Sequence, residues 1–192
     1  MKKNILRYAP ALLLITFFIL WSFVFHYSSP ESIIDWVGVE NAYLLIFILA
    51  LMGGFTTFSG IPYHVVLVAL AVGGLNPFIL GIAASFGVMI GDSTSYYIGY
   101  GGRLLVPEKI QKWLERLSII KEKYPRLLPV VFLCYGSLLP FSNDVITIPM
   151  GLLRHPFWRV FIPLGIGNII FNISLAFLAA YAYEFLQATP FL

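Results

Sequence analysis

Residues 127–153, LLPVVFLCYGSLLPFSNDVITIPMGLL, form an apolar stretch whose centre contains Gly136 and Pro140. Each apolar arm beside this break is shorter than the roughly 20 residues that a helix needs to cross a bilayer. A basic segment precedes the stretch and Arg154 follows it, so both ends should face the same side of a membrane. We therefore predict a re-entrant helical hairpin over 127–153.

The composition favours a membrane protein over the whole chain. Hydrophobic residues make up 59% of the 192 residues and charged residues only 11%, and the mean hydropathy is +0.88. A soluble domain carries about 25% charged residues because its surface faces water. Apolar runs recur from residue 9 to residue 186, so we predict one polytopic membrane domain over residues 1–192.

The charges predict the orientation of this domain. The twelve Lys and Arg residues fall near residues 2–7, 103–126 and 154–159, whereas segment 27–41 carries only acidic charges. The positive-inside rule assigns the basic clusters and the N-terminus to the cytoplasm. We expect a multi-pass protein of the inner (plasma) membrane, and no nucleic-acid partner.

Six membrane elements follow from these runs. They are a first transmembrane helix at about 9–26, a hairpin at 42–76, a helix at 77–101, an interfacial cytoplasmic helix at 107–124, the hairpin at 127–153 and a last transmembrane helix at 157–186. The first run lacks a small-x-small cleavage site, so we interpret it as a retained helix.

The two hairpins suggest an internal repeat. Gly73 follows Pro62 by the same interval at which Gly151 follows Pro140, and a Pro-Phe pair comes next in each half. Because the two halves start on opposite sides, the predicted fold is an all-α integral membrane protein with an inverted repeat of re-entrant helical hairpins plus long transmembrane helices. Secondary transporters share this plan, with the site near the midplane.

The segment 107–124 is typical of a basic amphipathic helix. Its apolar side chains recur at helical spacing, and Lys and Arg occupy much of the remainder. Such a helix lies on a membrane surface and attracts anionic lipid headgroups. A plain cytoplasmic connector explains the same pattern equally well.

Buried polar residues are the candidate site, because a charge near the bilayer centre costs about 2.5–3.5 kcal/mol or more. Asp92 is either a protonatable carboxylate or a structural hydrogen-bond acceptor for a Ser or Tyr hydroxyl. Asp144 begins a half-helix that Ser142 or Asn143 would cap. The candidate substrate or proton pathway comprises Asp92, Asp144, His64, Asn143, Ser142, Arg154, Ser95 and Asn168.

Other chemistry finds little support in the sequence. Cys134 is the single cysteine, and no His, Cys or carboxylate spacing indicates a metal. No G-x-S-x-G motif indicates hydrolysis. We therefore expect no metal, no cofactor and no enzymatic activity, and the sequence leaves homo-oligomer formation open.

Two segments resemble the bacterial DedA family, a branch of the SNARE-associated, or VTT-domain, superfamily. They are Gly91-Asp92…Tyr96-Tyr97-Ile98-Gly99 and Pro140…Pro149-Met150-Gly151-Leu152-Leu153-Arg154-His155-Pro156-Phe157. The resemblance covers roughly residues 50–185. It implies opposed re-entrant hairpins and the movement of polyprenyl phosphate or phospholipids between leaflets, in some members with proton coupling.

The chain departs from the family pattern at three places. Tyr63-His64 stands where members usually carry a carboxylate, and Ser137 and Asn143 stand where they carry two arginines. Those arginines are the natural phosphate binders, so their absence argues against a polyprenyl-phosphate substrate. Arg154 could supply one headgroup contact.

Three functions fit the sequence. The first is flipping or scrambling of a phospholipid or polyprenyl-phosphate lipid, with proton coupling as an added hypothesis. The second is proton- or ion-coupled export of a small solute through the same midplane site. The third is a non-transporting membrane scaffold whose basic helix recruits partners or anionic lipid.

The predicted hairpins can be tested by cysteine accessibility. Single cysteines introduced at residues 41 and 76 should label from one side of the membrane, and those at 126 and 154 from the opposite side, because each hairpin returns to the face it entered. Labelling of intact and permeabilised cells measures the sidedness. A pair that labels from two different faces contradicts the re-entrant prediction.

Overall fold

The computed structural model describes Asp35 and residues 37–55, 63–102 and 106–188. The described residues form seven helices and no strand, which confirms the predicted all-α class. They are α1 (Val39–Phe55), α2 (Tyr63–Val72), α3 (Pro77–Gly102), α4 (Glu108–Lys123), α5 (Leu128–Leu138), α6 (Asp144–Leu152) and α7 (Phe157–Ala188). The predicted helix at 9–26 and the break at Pro62 lie outside the described residues.

Helices α3 and α7 are long and apolar enough to cross a membrane. They contain 26 and 32 residues. The start of α3 is fixed by Asn76, whose Oδ1 accepts hydrogen bonds from the backbone N–H groups of Phe78 at 2.9 Å and Ile79 at 3.3 Å. Such a cap satisfies donors that the first helical turn leaves unpaired.

The two halves of the chain pack in a reciprocal pattern. Helix α1 packs on α3, and α5 packs on α7. The first half comprises α1 to α3 and the second half α5 to α7. The helix that precedes the long helix in each half packs on the long helix of the other half, so α2 packs on α7 and α6 packs on α3. Ser85 of α3 contacts Asn172 of α7, and one turn later Met89 lies against Gly165, so the two long helices run antiparallel.

Two apolar cores lie at different levels of α3 and α7. The first is built on α1 and α2, with Leu80, Ala84 and Val88 of α3 and Ala176 of α7. The second is built on α5 and α6, with Tyr96 of α3 and Val160, Phe161 and Leu164 of α7. Between these levels lie the buried polar side chains of Asp92 on α3 and of Asn168 and Asn172 on α7.

Each short helix joins its long helix through the same turn. The left-handed residue is Gly74 (φ 91°) in the first half and Arg154 (φ 48°) in the second. The next N–H bonds back five residues, from Leu75 to the Leu70 carbonyl at 3.2 Å and from His155 to the Met150 carbonyl at 2.9 Å. This is the Schellman pattern that ends a helix.

The turns correct the predicted pairing of Gly73 with Gly151. Gly74 corresponds to Arg154, because both occupy the left-handed position after the helix end. Gly151 instead lies inside α6, where it contacts the backbone of Tyr96. A glycine there removes the Cβ that would keep α6 and α3 apart, so its role is close packing.

Substituting Gly151 tests this contact. A Cβ at Gly151 would overlap the Tyr96 carbonyl oxygen, so Gly151→Ala should destabilise the protein by about 1–3 kcal/mol, as overpacking does. The matched control is Gly101→Ala at the end of α3, where a Cβ meets nothing within 4 Å. Thermal unfolding in detergent measures both variants, and equal melting temperatures contradict the packing argument.

His155, in the turn before α7, should make stability depend on pH. Its burial, together with the nearby positive charges of Lys121 and Arg159, lowers the pKa of His155. Below about pH 6.5 the unfolded chain therefore binds a proton that the folded chain resists, and stability falls as the pH drops. Unfolding measured from pH 8 to pH 5 should show a smaller loss for His155→Gln than for the unsubstituted protein. Identical pH profiles contradict this role.

Candidate functional site

A polar cavity of about 130 Å³ lies beside the middle of α3 and α7. Its walls come from the end of α1, the start of α2, the middle of α3 and α7, and the loop between α5 and α6. The polar side chains that line it are Tyr63, His64, Asp92, Ser142, Asn143 and Asn168. Five of these six are residues that the sequence analysis proposed for the pathway.

Asn143 is the hydrogen-bonding centre of the site. Its Nδ2 donates to the Asp92 carboxylate at 2.6 Å and lies 3.3 Å from Asn168 Oδ1. Each of the three side chains is less than a tenth exposed. One amide from the α5–α6 loop therefore joins the carboxylate of α3 to the amide of α7.

Asp92 accepts a hydrogen bond from the Asn143 amide, not from the Ser or Tyr hydroxyl that the structural alternative predicted. A protonatable Asp92 stays a prediction. Asn143 correspondingly does not cap α6 with its side chain, because that side chain points to Asp92. Ser142 Oγ accepts the Asp144 backbone N–H at 3.3 Å, so Ser142 and not Asn143 pairs a backbone donor at the start of α6.

A second polar chain crosses the molecule one turn away. Tyr63 donates its hydroxyl proton to Asn172 Oδ1 at 3.3 Å, and Asn172 Nδ2 donates to Ser85 Oγ at 3.1 Å. Ser85 Oγ lies 3.0 Å from the carbonyl oxygen of Asn168. Since the Asn168 side chain lines the cavity, this series of hydrogen bonds connects to the site. Helices α2, α3 and α7 are thus linked by polar contacts at the level of the site.

Two further hydrogen bonds hold the loop between α5 and α6. Tyr135 donates its hydroxyl to the Ser142 carbonyl at 2.8 Å, and Ser142 Oγ donates to the Asp144 carboxylate at 2.9 Å. Asp144 is buried but does not line the cavity. Its connection to the site passes through Ser142.

His64 lines the cavity from the start of α2. Its ring centroid lies 3.9 Å from that of Tyr63 and 5.5 Å from that of Phe171, which it meets edge-on. Aromatic packing therefore fixes the imidazole beside the polar centre.

Two predicted pathway residues lie apart from the cavity. Ser95 is buried on α3, one turn beyond Asp92, but does not line the space. Arg154 lies in the exposed turn before α7, with its guanidinium 4.9 Å from the Tyr100 ring centroid. Arg154 does not line the cavity, and its contact with a headgroup stays a prediction.

The sequence analysis assigned no pathway role to Tyr63, Phe171 and Asn172. Asn172 follows Asn168 by one helical turn, a spacing that places both amides on one face. The cavity also depends on Gly54 and Gly136, since an added Cβ would lie 2.6 Å from the Val88 carbonyl oxygen and 2.8 Å from that of Leu164, respectively. Glycine near the ends of α1 and α5 is the sequence feature that could have predicted close packing of these helices on α3 and α7.

Metal binding finds no geometric support among the described residues, which contain no cluster of three His, Cys, Asp or Glu side chains suited to a metal ion. The two carboxylates at the site are separated by the Ser142–Asn143 segment, and each is engaged by a neighbouring polar side chain.

Comparison with known proteins supports a family assignment. The VTT domain matches residues 61–181, more than half of the chain, from the start of α2 through most of α7. Neither a curated protein nor a solved structure matches the chain. The matched region contains the Asp92–Asn143–Asn168 centre. The chain belongs to the VTT-domain family, the DedA and SNARE-associated family of membrane proteins.

Proposed function

We propose that this protein translocates a phospholipid between the leaflets of the membrane. The observation that carries the proposal is the cavity at Asp92, Asn143 and Asn168, where both hairpins bring polar groups to the middle of two apolar helices. Buried polar side chains in a membrane segment commonly mark a pathway for a polar cargo. A lipid headgroup would cross at this level while its acyl chains remain in the bilayer.

The sequence of contacts along α3, α6 and α7 supports opposed re-entrant hairpins. Helix α6 follows α3 in parallel, since Asn143 meets Asp92 and, further along, Ile148 meets Gly99. Helices α3 and α7 are antiparallel, so the hairpins of the two halves approach the cavity from opposite ends. Inverted halves of this kind allow one half to rock against the other around a central site.

The charges at the cavity favour a zwitterionic headgroup. Among the described residues that line it, Asp92 carries a carboxylate and none is Lys or Arg. A phosphate monoester alone would meet Asp92 without a compensating cation. A headgroup that also bears an ammonium group can place its positive charge at Asp92, while the Asn143 and Asn168 amides face its polar oxygens.

Proton coupling is the second part of the proposal. The Asp92 carboxylate is buried, and its hydrogen-bond donor is a neutral amide. Uptake of a proton by Asp92 would remove the buried charge after the ammonium group leaves. The carboxylate would thereby alternate between a cationic cargo and a proton.

A liposome assay tests the site. Purified protein in vesicles should expose fluorescent phospholipid to a membrane-impermeant quencher, and Asp92→Asn and Asn143→Ala should each slow this about tenfold or more, since a hydrogen bond to a charged group contributes about 1.5–3 kcal/mol. Ser93→Ala is the matched control on α3, because its hydroxyl bonds only the local Ile90 carbonyl in the described contacts.

Two further arms separate the rival functions. If Asp92→Ala and Asp144→Ala both leave lipid translocation and its pH dependence intact, the site assignment is wrong. Transport of labelled small solutes without lipid movement favours the exporter. Variants at the cavity that change only the melting temperature favour the scaffold.

A further inference from the structure

A second surface, separate from the polar cavity, is an apolar groove between α4, α5 and α6. It encloses about 290 Å³, and none of its lining residues is charged. Trp113 and Ile120 form the α4 wall, Val131 and Tyr135 the α5 wall, and Val145 and Met150 the α6 wall. The groove therefore runs beside the second hairpin, from the amphipathic helix toward the hairpin tip.

The groove has the length and chemistry of a hydrocarbon site. Leu128, Val131 and Tyr135 line it at successive turns of α5, which corresponds to about 10 Å along the helix axis. Its surface is almost wholly apolar, so the backbone N–H and C=O groups of an inserted peptide would find few partners there. An unsatisfied peptide group in such surroundings is costly, whereas an acyl chain has no such groups.

A row of basic residues flanks the groove along α4. Lys112, Arg116 and Lys123 follow one another at spacings of four and seven residues and are all exposed, which places them on one stripe of the helix. The acidic residues Glu108, Glu115 and Glu122 fall on the far side of the helix from the groove-lining face. Lys123 Nζ stands 5.3 Å from the ring centroid of Tyr124, itself a lining residue.

We propose that this groove binds one acyl chain of an anionic phospholipid, whose phosphate is held by the basic row of Lys112, Arg116 and Lys123. The charge of the row selects the headgroup, and the uncharged groove accepts the chain. This lipid is a resident partner, distinct from the zwitterionic cargo proposed for the cavity. Binding of this lipid requires no translocation, so the groove proposal can be tested separately from the proposed function.

The bound acyl chain would contact Tyr135, whose hydroxyl holds the α5–α6 loop. Tyr135 lines the end of the groove that lies nearest the α5–α6 loop, and its hydroxyl donates to the Ser142 carbonyl beside the cavity. A chain packed against the Tyr135 ring would restrict the side chain that holds the Ser142–Asn143 segment. The groove therefore offers anionic lipid a direct mechanical contact with the polar centre.

Photolabelling tests the groove. Phosphatidylglycerol with a diazirine on its acyl chain, added in trace amounts to phosphatidylcholine nanodiscs that hold the full chain, should label residues 128–135 and 145–150. Val131→Trp should remove this labelling by filling the groove. Val130→Trp is the matched control, because Val130 and Val131 are 53% and 47% exposed but only Val131 lines the groove. Equal labelling of the two variants, or labelling spread evenly over all exposed helix faces, overturns the proposal.

The headgroup preference is tested in the same system. Arg116→Gln should reduce the labelling preference for phosphatidylglycerol over a phosphatidylcholine probe about fivefold, the effect of one basic residue near an anionic surface. Arg159→Gln removes the same charge from the exposed start of α7 and should leave the preference unchanged. Should Val131→Trp fail to fold, competition in the unsubstituted protein decides. Unlabelled phosphatidylglycerol must displace the probe better than phosphatidylcholine, and equal displacement overturns the proposal.

Discussion

The architecture depends on a carboxylate buried in the middle of an apolar helix. Asp92 is 3% exposed, and the Asn143 amide donates a hydrogen bond to its carboxylate at 2.6 Å. A buried charge without such a partner would cost several kcal/mol. Asn143 belongs to the tip of a hairpin, so the need to satisfy Asp92 requires the α5–α6 loop to reach the middle of α3.

The same constraint explains the close contacts around the site. For Asn143 to meet Asp92, α6 must run against α3, and Gly99 and Gly151 permit this by removing side chains from the interface. On the other long helix, Asn168 and Asn172 continue the polar layer between the two apolar cores. Polar side chains that bond across helices supply directional contacts that lipid-like apolar packing does not.

The sequence predicts the elements better than their partners. Long apolar runs and central Gly or Pro breaks indicate the helices and where they end, and a carboxylate within an apolar run marks Asp92 as a candidate site residue. Whether Asn143 or a hydroxyl meets Asp92 depends on the rotation of α6 against α3. The spacing of residues within either helix does not predict that rotation. Local spacing does not predict the direction of the Arg154 side chain either, which lies over the Tyr100 ring at the left-handed turn.

Asn143 also explains how this chain differs from the DedA pattern that it resembles, in which an arginine stands at this position. A guanidinium beside Asp92 would neutralise the carboxylate with a fixed cation. The asparagine amide satisfies the carboxylate geometrically but leaves its charge uncompensated. Under the proposed function, a cationic group of the cargo, or a proton, would balance this charge inside the membrane. With a neutral donor at Asn143, the balancing cation would come from whatever enters the cavity and not from this position of the protein, and this argument underlies the proposal of a zwitterionic headgroup.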